Sequence, residues 1–319
     1  GGSARFVGRM PSAITERLER EEIDVQPPGA EPGTPEEAVE TARLAEEKGA
    51  SWVVVDGYHF GGPYQRQLRE EGRRALFIDD YGHADRYDAD LVLNQNIDAE
   101  ATLYEERAPH TDLLLGPKFA LLRKEFWPWR EPRRTPRTRA SRVLVTLGGA
   151  DPDNLTTRVV RGLGQFDAEE VRVTVLVGGS NPHEEAVRAA AKASGESVEV
   201  RTDVDDMASL MAESDVAVSA GGSTCWELAF MGIPNVIVVL ADNQRGIAKG
   251  LDEAGTAINL GWHESVEATA IRDRVEFLLT DEKCRLRMAR AAQRLVDGRG
   301  TGRVVDKMHS LIPPHTSTV

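Results

Sequence analysis

Short runs of consecutive apolar residues alternate along the chain with longer segments in which apolar residues recur every three or four positions. The first pattern predicts buried strands and the second predicts amphipathic helices. Because the strand segments of the first half are apolar throughout, rather than at every second position, they predict a parallel sheet covered by helices on both faces. Strands are expected at 51–55, 75–78, 91–93, 113–115, 142–147, 171–177, 198–201, 215–219 and 235–240.

Capping residues mark where several helices begin and end. Thr34 to Glu37 reads as a capping box with proline at the first helical position, and this helix is expected to end at Gly49. Other helices are expected at 63–71, from about 154, at 184–193, 205–213, 282–295 and 301–311. Alternating strands and helices predict an α/β fold with two Rossmann-like, doubly wound domains.

Residues 128–142 interrupt this alternation with three prolines and six arginines. The composition predicts a linker at 130–141, between an N-terminal domain at 1–129 and a C-terminal domain with terminal helices at 142–319. Two such domains would face a cleft, a usual place for a small-molecule site. The basic run is either a solvated segment or a group of residues that steers phosphates.

Charge and cysteine content exclude several classes of protein. A net charge of −13 over 319 residues argues against a general binder of nucleic acid or of membrane surfaces. Two cysteines, Cys225 and Cys284, cannot form a disulfide framework or a metal cluster. Without a signal peptide or an apolar run of spanning length, a cytoplasmic protein with no membrane insertion is expected.

The most informative segment is SAGGSTCWELAFMGIP, at 219–234. An apolar strand there meets Gly221 and Gly222 and then a helix, so backbone N–H groups and the helix dipole favour an anion. Ser223 and Thr224 add hydroxyl donors, and Glu227 is one turn further on the same face, where it could accept from ribose hydroxyls. The segment predicts a nucleotide-diphosphate site, and the alternative is a tight turn before a capped helix.

Other strand ends carry polar residues that would meet at the same edges of the sheets. Asn243 and Gln244 follow one strand of the second domain, and Gly148 and Gly149 follow another, where they form either further diphosphate donors or a turn capped by Asp153 or Asn154. In the first domain the corresponding segments are 56–59, 79–81 and 94–96. The seven histidines have no metal-ligand spacing, so neither a metal nor a cofactor is expected.

Five segments in order extend this picture: VVVDGYHFGGPYQRQL, LFIDDYGHADRYDADLVLNQN, LLLGPKFALLRKEF, VLVTLGGADPDNLT, and the glycine segment followed by LADNQ. Together they resemble the UDP-2,4-diacetamido-2,4,6-trideoxy-β-L-altropyranose hydrolases of pseudaminic acid biosynthesis. That family is similar in fold to the MurG-type glycosyltransferases, which have the GT-B architecture. The resemblance extends from about residue 5 to about residue 300.

The resemblance implies hydrolysis of a UDP-linked diacetamido sugar to UDP and the free sugar, for cell-surface or flagellar glycans. It implies that Gly221, Gly222, Ser223, Thr224 and Glu227 hold UDP, and that Gly148 and Gly149 help with the diphosphate. It also implies that Tyr58, Asn243 and Gln244 line the sugar side of the cleft.

The chain departs from the family at its start. The family opens with a strand and a Gly-x-Gly-His loop whose histidine is thought to activate water, and no histidine of this chain stands at that position. Either the N-terminal domain is truncated or the base has been lost. The catalytic residue is therefore unknown, with His59 and Tyr58 as weak candidates. The alternatives to a hydrolase are a MurG-like UDP-sugar glycosyltransferase and a non-catalytic UDP-sugar binding protein.

Overall fold

A computed structural model describes residues 3–10, 12–202 and 204–312 of the chain. The chain divides into two compact units. Of the described residues, the first unit contains those up to Asn94, residues 99–115 and residues 306–312, and the second contains residues 95–98 and those from 116 to 305. Each unit is built on parallel sheets, so the predicted α/β fold class is confirmed.

The first unit has two parallel sheets. A two-stranded sheet pairs the first two strands, and a four-stranded sheet holds the other four in the order β3-β4-β5-β6. Its core is formed by the apolar faces of the second and third helices against the four-stranded sheet. Its elements are β1 (Arg5–Val7), α1 (Ser12–Arg20), β2 (Asp24–Gln26), α2 (Pro35–Glu47), β3 (Val53–Asp56), α3 (Gly62–Glu70), β4 (Ala75–Ile78), β5 (Leu91–Asn94) and β6 (Asp112–Leu115).

The second unit has one six-stranded parallel sheet with helices on both faces. Its elements are β7 (Arg142–Thr146), α4 (Leu155–Leu163), β8 (Arg172–Leu176), α5 (Glu184–Ala193), β9 (Val198–Arg201), α6 (Met207–Glu213), β10 (Val216–Ala220), α7 (Thr224–Met231), β11 (Asn235–Val239), α8 (Arg245–Glu253), β12 (Ala257–Trp262), α9 (Ala268–Thr280), α10 (Glu282–Leu295) and α11 (Gly300–Ser310), the last of which runs past the boundary at Val305.

The strand order of this sheet is β12-β11-β10-β7-β8-β9. The chain therefore begins in the middle, moves to one edge, returns, and moves to the other edge, which is the order of a Rossmann fold. The direction reverses between β7 and β10, which are hydrogen-bonded neighbours. In open parallel sheets ligands bind beyond the carboxyl ends of the strands at such a reversal.

Both faces of the second sheet are buried at its inner strands, which explains why β7, β10 and β11 are apolar at successive positions. Val143 and Val145 of β7 face a core that includes α4, α5 and α9, whereas Leu144 faces a core that includes α6, α7 and α8. Val216 and Ala217 of β10 divide in the same way between the two cores. The continuous apolar runs thus satisfy two layers of helices at once.

Two parts of the second unit were not expected. The pattern does not predict strand β12, which lies at the edge of the sheet and is mostly only half-buried. The arginine segment (residues 130–141), expected as a linker, makes hydrogen bonds inside the second unit. The Arg133 guanidinium donates to the carbonyl of Asp297 at 2.7 Å, and Arg134 donates to the carbonyls of Ala212 and Ser214.

Candidate functional site

Strand β10 meets helix α7 through the turn 221–223, at the point where the strand order reverses. In the described part of the chain, the backbone N–H groups of Gly222, Ser223 and Thr224 have no protein acceptor, and the Ser223 side chain does not cap the helix. A Cβ atom at Gly222 would meet no atom within 4 Å, so its backbone borders open space. These donors at a helix N-terminus form a site suited to an anion.

Gln244 holds this turn in place. Its Oε1 accepts hydrogen bonds from the N–H of Gly221 at 3.2 Å and from the N–H of Leu240 at 2.9 Å, and so joins the ends of β10 and β11. A Cβ atom at Gly221 would lie 2.9 Å from the Cβ of Gln244, so only glycine fits. The amide oxygen of Gln244 therefore supports the turn, and only its NH2 group could donate to a ligand. Asn243 is exposed in the short 3-10 turn Asp242–Gln244.

Buried polar groups fix the start of α7 to the sheet below it. Asn235 donates through Nδ2 to the Ser219 hydroxyl at 2.8 Å, and the Cys225 thiol donates to the carbonyl of Ala220 at 3.2 Å. Burial raises the pKa of Cys225 to about 12, so this thiol stays neutral at physiological pH. Because a neutral buried thiol is a poor nucleophile, the role of Cys225 is structural: its hydrogen bond fixes the start of α7 to β10.

The turn after β7 also carries two glycines, but a side chain of this turn caps the helix that follows, α4. The Asp151 carboxylate accepts hydrogen bonds from the N–H groups of Leu155 and Thr156 at 2.9 and 2.8 Å. The cap is therefore Asp151, not Asp153 or Asn154 as expected. With these helix donors in use, binding of an anion by Gly148 and Gly149 would depend on the N–H groups of the loop itself.

A third glycine turn, which the sequence analysis missed, follows β8. A Cβ atom at Gly178 would lie 2.5 Å from the Cα of Gly149, so the two turns touch, and the Ser180 hydroxyl donates to the carbonyl of Gly149 at 2.8 Å. The signal was present in the sequence, because Gly-Gly pairs follow three strands, at 148–149, 178–179 and 221–222. Since β8, β7, β10 and β11 are consecutive neighbours, their loops follow one another along the carboxyl edge.

Glu227 is the one charged residue of helix α7, most of which is buried. Its side chain is 13% exposed, and its Oε1 accepts a hydrogen bond from Arg123 Nε at 2.8 Å. Burial by itself would lower the pKa of Arg123, but the hydrogen bond and charge of Glu227, together with the charges of Glu125 and Asp206, outweigh it, and the net pKa is raised. Glu227, the predicted ribose acceptor, therefore forms an ion pair with Arg123. The sequence did not indicate this pair.

In the first unit, polar side chains meet at the carboxyl ends of β3 and β4. The Tyr58 hydroxyl donates to Asp80 at 2.6 Å, and the Tyr58 and Tyr81 rings lie 5.2 Å apart. Desolvation by the surrounding protein, together with the negative charge of Asp80, raises the pKa of Asp56. His59 is exposed, with its ring centre 4.0 Å from that of its neighbour Phe60.

Within residues 3–10, 12–202 and 204–312, no three His, Cys, Asp or Glu side chains form a group that could hold a metal ion. Over the same residues, no helix has both the length and the apolar content needed to cross a membrane.

Comparison with known proteins points to nucleotide-sugar enzymes. Residues 142–299 match the glycosyltransferase family 28 C-terminal domain. The spore coat polysaccharide biosynthesis protein SpsG of Bacillus subtilis is 28% identical over 243 residues, which cover 76% of this chain and 70% of SpsG. A UDP-N-acetylglucosamine–N-acetylmuramyl-(pentapeptide) pyrophosphoryl-undecaprenol N-acetylglucosamine transferase of Acidithiobacillus ferrooxidans is 32% identical over 162 residues, which cover 49% of this chain and less than half, 44%, of that transferase.

Solved structures resemble the chain over nearly its whole length. MurG of Acinetobacter baumannii has a TM-score of 0.65 at 18% identity, covering 98% of this chain and 92% of MurG. The structure of S. aureus MnaA with UDP has a TM-score of 0.61 at 14% identity, covering 98% and 97%. The chain therefore has the GT-B fold, and its residues 142–299 are similar to the glycosyltransferase family 28 C-terminal domain.

Proposed function

We propose that the second unit binds a UDP-sugar at the carboxyl edge of its sheet. The observation that carries this proposal is the set of unsatisfied N–H groups at 222–224, one helical turn before the carboxylate of Glu227. Such donors suit a diphosphate, and a carboxylate suits the vicinal hydroxyls of a ribose. The site lies within the segment that matches the glycosyltransferase family 28 C-terminal domain.

In this proposal Gly222, Ser223 and Thr224 hold the diphosphate, Gly221 shapes the turn that presents them, and Glu227 holds the ribose. The loops at Gly148–Gly149 and at 178–180 contribute further donors beside the diphosphate. Asn243 and the NH2 group of Gln244 bind sugar hydroxyl groups.

We propose glycosyl transfer as the reaction. The family match and the transferase from Acidithiobacillus ferrooxidans support it. The bond between the sugar and the β-phosphate oxygen breaks, a bond to an acceptor oxygen forms, and a base takes the proton of the acceptor.

Hydrolysis of a UDP-linked 2,4-diacetamido-2,4,6-trideoxy sugar is the second candidate. The ordered motifs of the sequence favour it. The two reactions differ in the acceptor alone. Measuring UDP release from a panel of UDP-sugars with and without added acceptors separates them, and binding without release would indicate a non-catalytic protein.

Titration calorimetry with UDP tests the site itself. Replacing Glu227 with alanine should weaken UDP binding roughly 10- to 150-fold, because hydrogen bonds to a charged acceptor contribute about 1.5–3 kcal/mol. The exposed Glu185 on α5 supplies the control, since Glu185→Ala should leave the affinity unchanged. Equal UDP affinity of the wild type and Glu227→Ala would remove Glu227 from the site.

A further inference from the structure

Arg123 bridges two carboxylates within the second unit. Its Nε lies 2.8 Å from Glu227 Oε1, and its Nη1 lies 3.3 Å from Glu125 Oε1. Glu125 is held in turn, because its Oε1 also accepts a hydrogen bond at 3.0 Å from the N–H of Met207, the first residue of α6. A line of polar contacts therefore runs from the start of α6 through Glu125 and Arg123 to Glu227.

Packing restricts the same three side chains. The guanidinium carbon of Arg123 lies 5.5 Å from the ring centre of Phe126, which is fully buried. The side chains of Glu227 and Glu125 are only 13% and 18% exposed, so neither is free to turn into bulk water. A carboxylate has about four acceptor positions, so Glu227 can accept from Arg123 through Oε1 and also accept from a ligand.

We propose that Arg123 is a positioning residue of the nucleotide site: it holds the Glu227 carboxylate in the orientation that binds ribose hydroxyls, and thereby sets a preference for ribonucleotides over 2′-deoxyribonucleotides. This inference rests on the proposed binding of UDP. The planar guanidinium fixes the direction of both of its bonds, whereas the ammonium of a lysine would supply charge without that direction.

Calorimetry with UDP and with 2′-deoxy-UDP tests the positioning of Glu227 by Arg123. Arg123→Ala should weaken UDP binding about 5- to 30-fold. Without Arg123 the Glu227 side chain gains rotamer freedom, and UDP binding must then restrict that freedom again. It should weaken 2′-deoxy-UDP binding less, so the ratio of the two affinities falls. Arg123→Lys should give an intermediate ratio. In a Glu227→Ala background, Arg123→Ala should change UDP affinity by less than about threefold, because the two residues act through one contact.

A matched control is Arg188→Ala, which removes a surface arginine that pairs with Glu184 at 2.7 Å on α5 and should leave both affinities unchanged. If Glu227→Ala weakens UDP binding while Arg123→Ala does not, the positioning of Glu227 by Arg123 is rejected and the UDP site stands. Equal losses on replacing Arg123 in the two backgrounds would also overturn the inference, because Arg123 would then contact the ligand directly. A wild type that does not bind UDP rejects both proposals. Should Arg123→Ala fail to fold, an Arg123→Lys ratio equal to that of the wild type overturns the inference.

Discussion

Single residues decide the geometry of the turn between β10 and α7. Gly221 and Gly222 are adjacent, yet a Cβ atom at Gly221 would lie 3.0 Å from the carbonyl oxygen of Gln244, whereas one at Gly222 would meet nothing. The first glycine is therefore required by the fold, and the second borders the space where we propose that the diphosphate binds. A substitution at Gly221 should therefore affect stability, and one at Gly222 should affect ligand binding.

Alanine at each position should show this difference. Gly221→Ala should lower the free energy of unfolding by about 1–3 kcal/mol, because the turn must shift to admit the methyl group. Gly222→Ala should leave that free energy within about 0.5 kcal/mol of the wild type but weaken UDP binding, because the methyl group would occupy the space of a phosphate. Urea unfolding and calorimetry with UDP measure the two effects. Undiminished UDP affinity in Gly222→Ala would move the diphosphate away from this turn.

Ionisation of Asp297 should make the free energy of unfolding depend on pH. A hydrogen bond from Arg303 is the main reason that the pKa of Asp297 is lowered to about 2, from about 3.8 in an unfolded chain. The ionised carboxylate therefore stabilises the fold above pH 4, and the contribution disappears as the pH falls from about 4 to about 2.

Asp297→Asn should lower the free energy of unfolding at pH 7 by at most about 1 kcal/mol, since the Asp297–Arg303 pair is partly exposed. The difference from the wild type should shrink below pH 4. Denaturant unfolding at a series of pH values measures it, with Asp273→Asn on the exposed face of α9 as control. A difference that stays constant from pH 7 to pH 2.5 would contradict the assignment.

Among the helices, the end of α9 depends on a residue of α10. Arg285 is 1% exposed, and its guanidinium donates to the carbonyls of Leu278 and Leu279, which the last turn of α9 leaves without intrahelical donors. The same guanidinium donates to the carbonyls of Arg137 and Thr138 in the arginine segment. One side chain therefore joins two helices and a loop.

Arg285→Met keeps most of the side-chain volume but removes all four hydrogen bonds. We expect it to lower the free energy of unfolding by about 2–4 kcal/mol, because buried carbonyls lose their donors. Arg290→Met, at an exposed position of the same helix, should change it by less than about 0.5 kcal/mol. A thermal or urea transition of Arg285→Met that matches that of Arg290→Met would show that the carbonyls find other donors.

The sequence predicts those helices and strands whose apolar pattern lies within a few adjacent residues. The bounds of β4, α5, β9 and α10 agree with the sequence prediction, because apolar residues are continuous in β4, alternate in β9 and recur at helical spacing in α5 and α10. Strand β12 is missed because an edge strand needs few apolar residues, and Asn259 and Gly261 interrupt its pattern. The site divides similarly: the turn 221–224 is predictable from adjacent residues, but the pair of Arg123 and Glu227 joins positions 104 residues apart.

At the scale of the whole molecule, the fold class is predictable because alternating strands and helices form parallel sheets covered by helices. The Rossmann order of the second unit places the ends of β7 and β10 side by side, which brings two of the predicted glycine turns to one reversal point. The domain boundaries at 130–141 stay a prediction. They depended on proline and arginine content, and composition does not reveal which carbonyls those arginines reach.

Those arginines have a consequence for proteolysis. Trypsin must draw an arginine side chain into its specificity pocket before it cuts, but Arg134 is 7% exposed at its side chain and is hydrogen-bonded to two carbonyls. Arg139, five residues on, is exposed. Brief trypsin digestion followed by mass spectrometry should therefore show cleavage after Arg139 well before cleavage after Arg133 or Arg134. A freely moving linker would be cut at all three positions at similar rates.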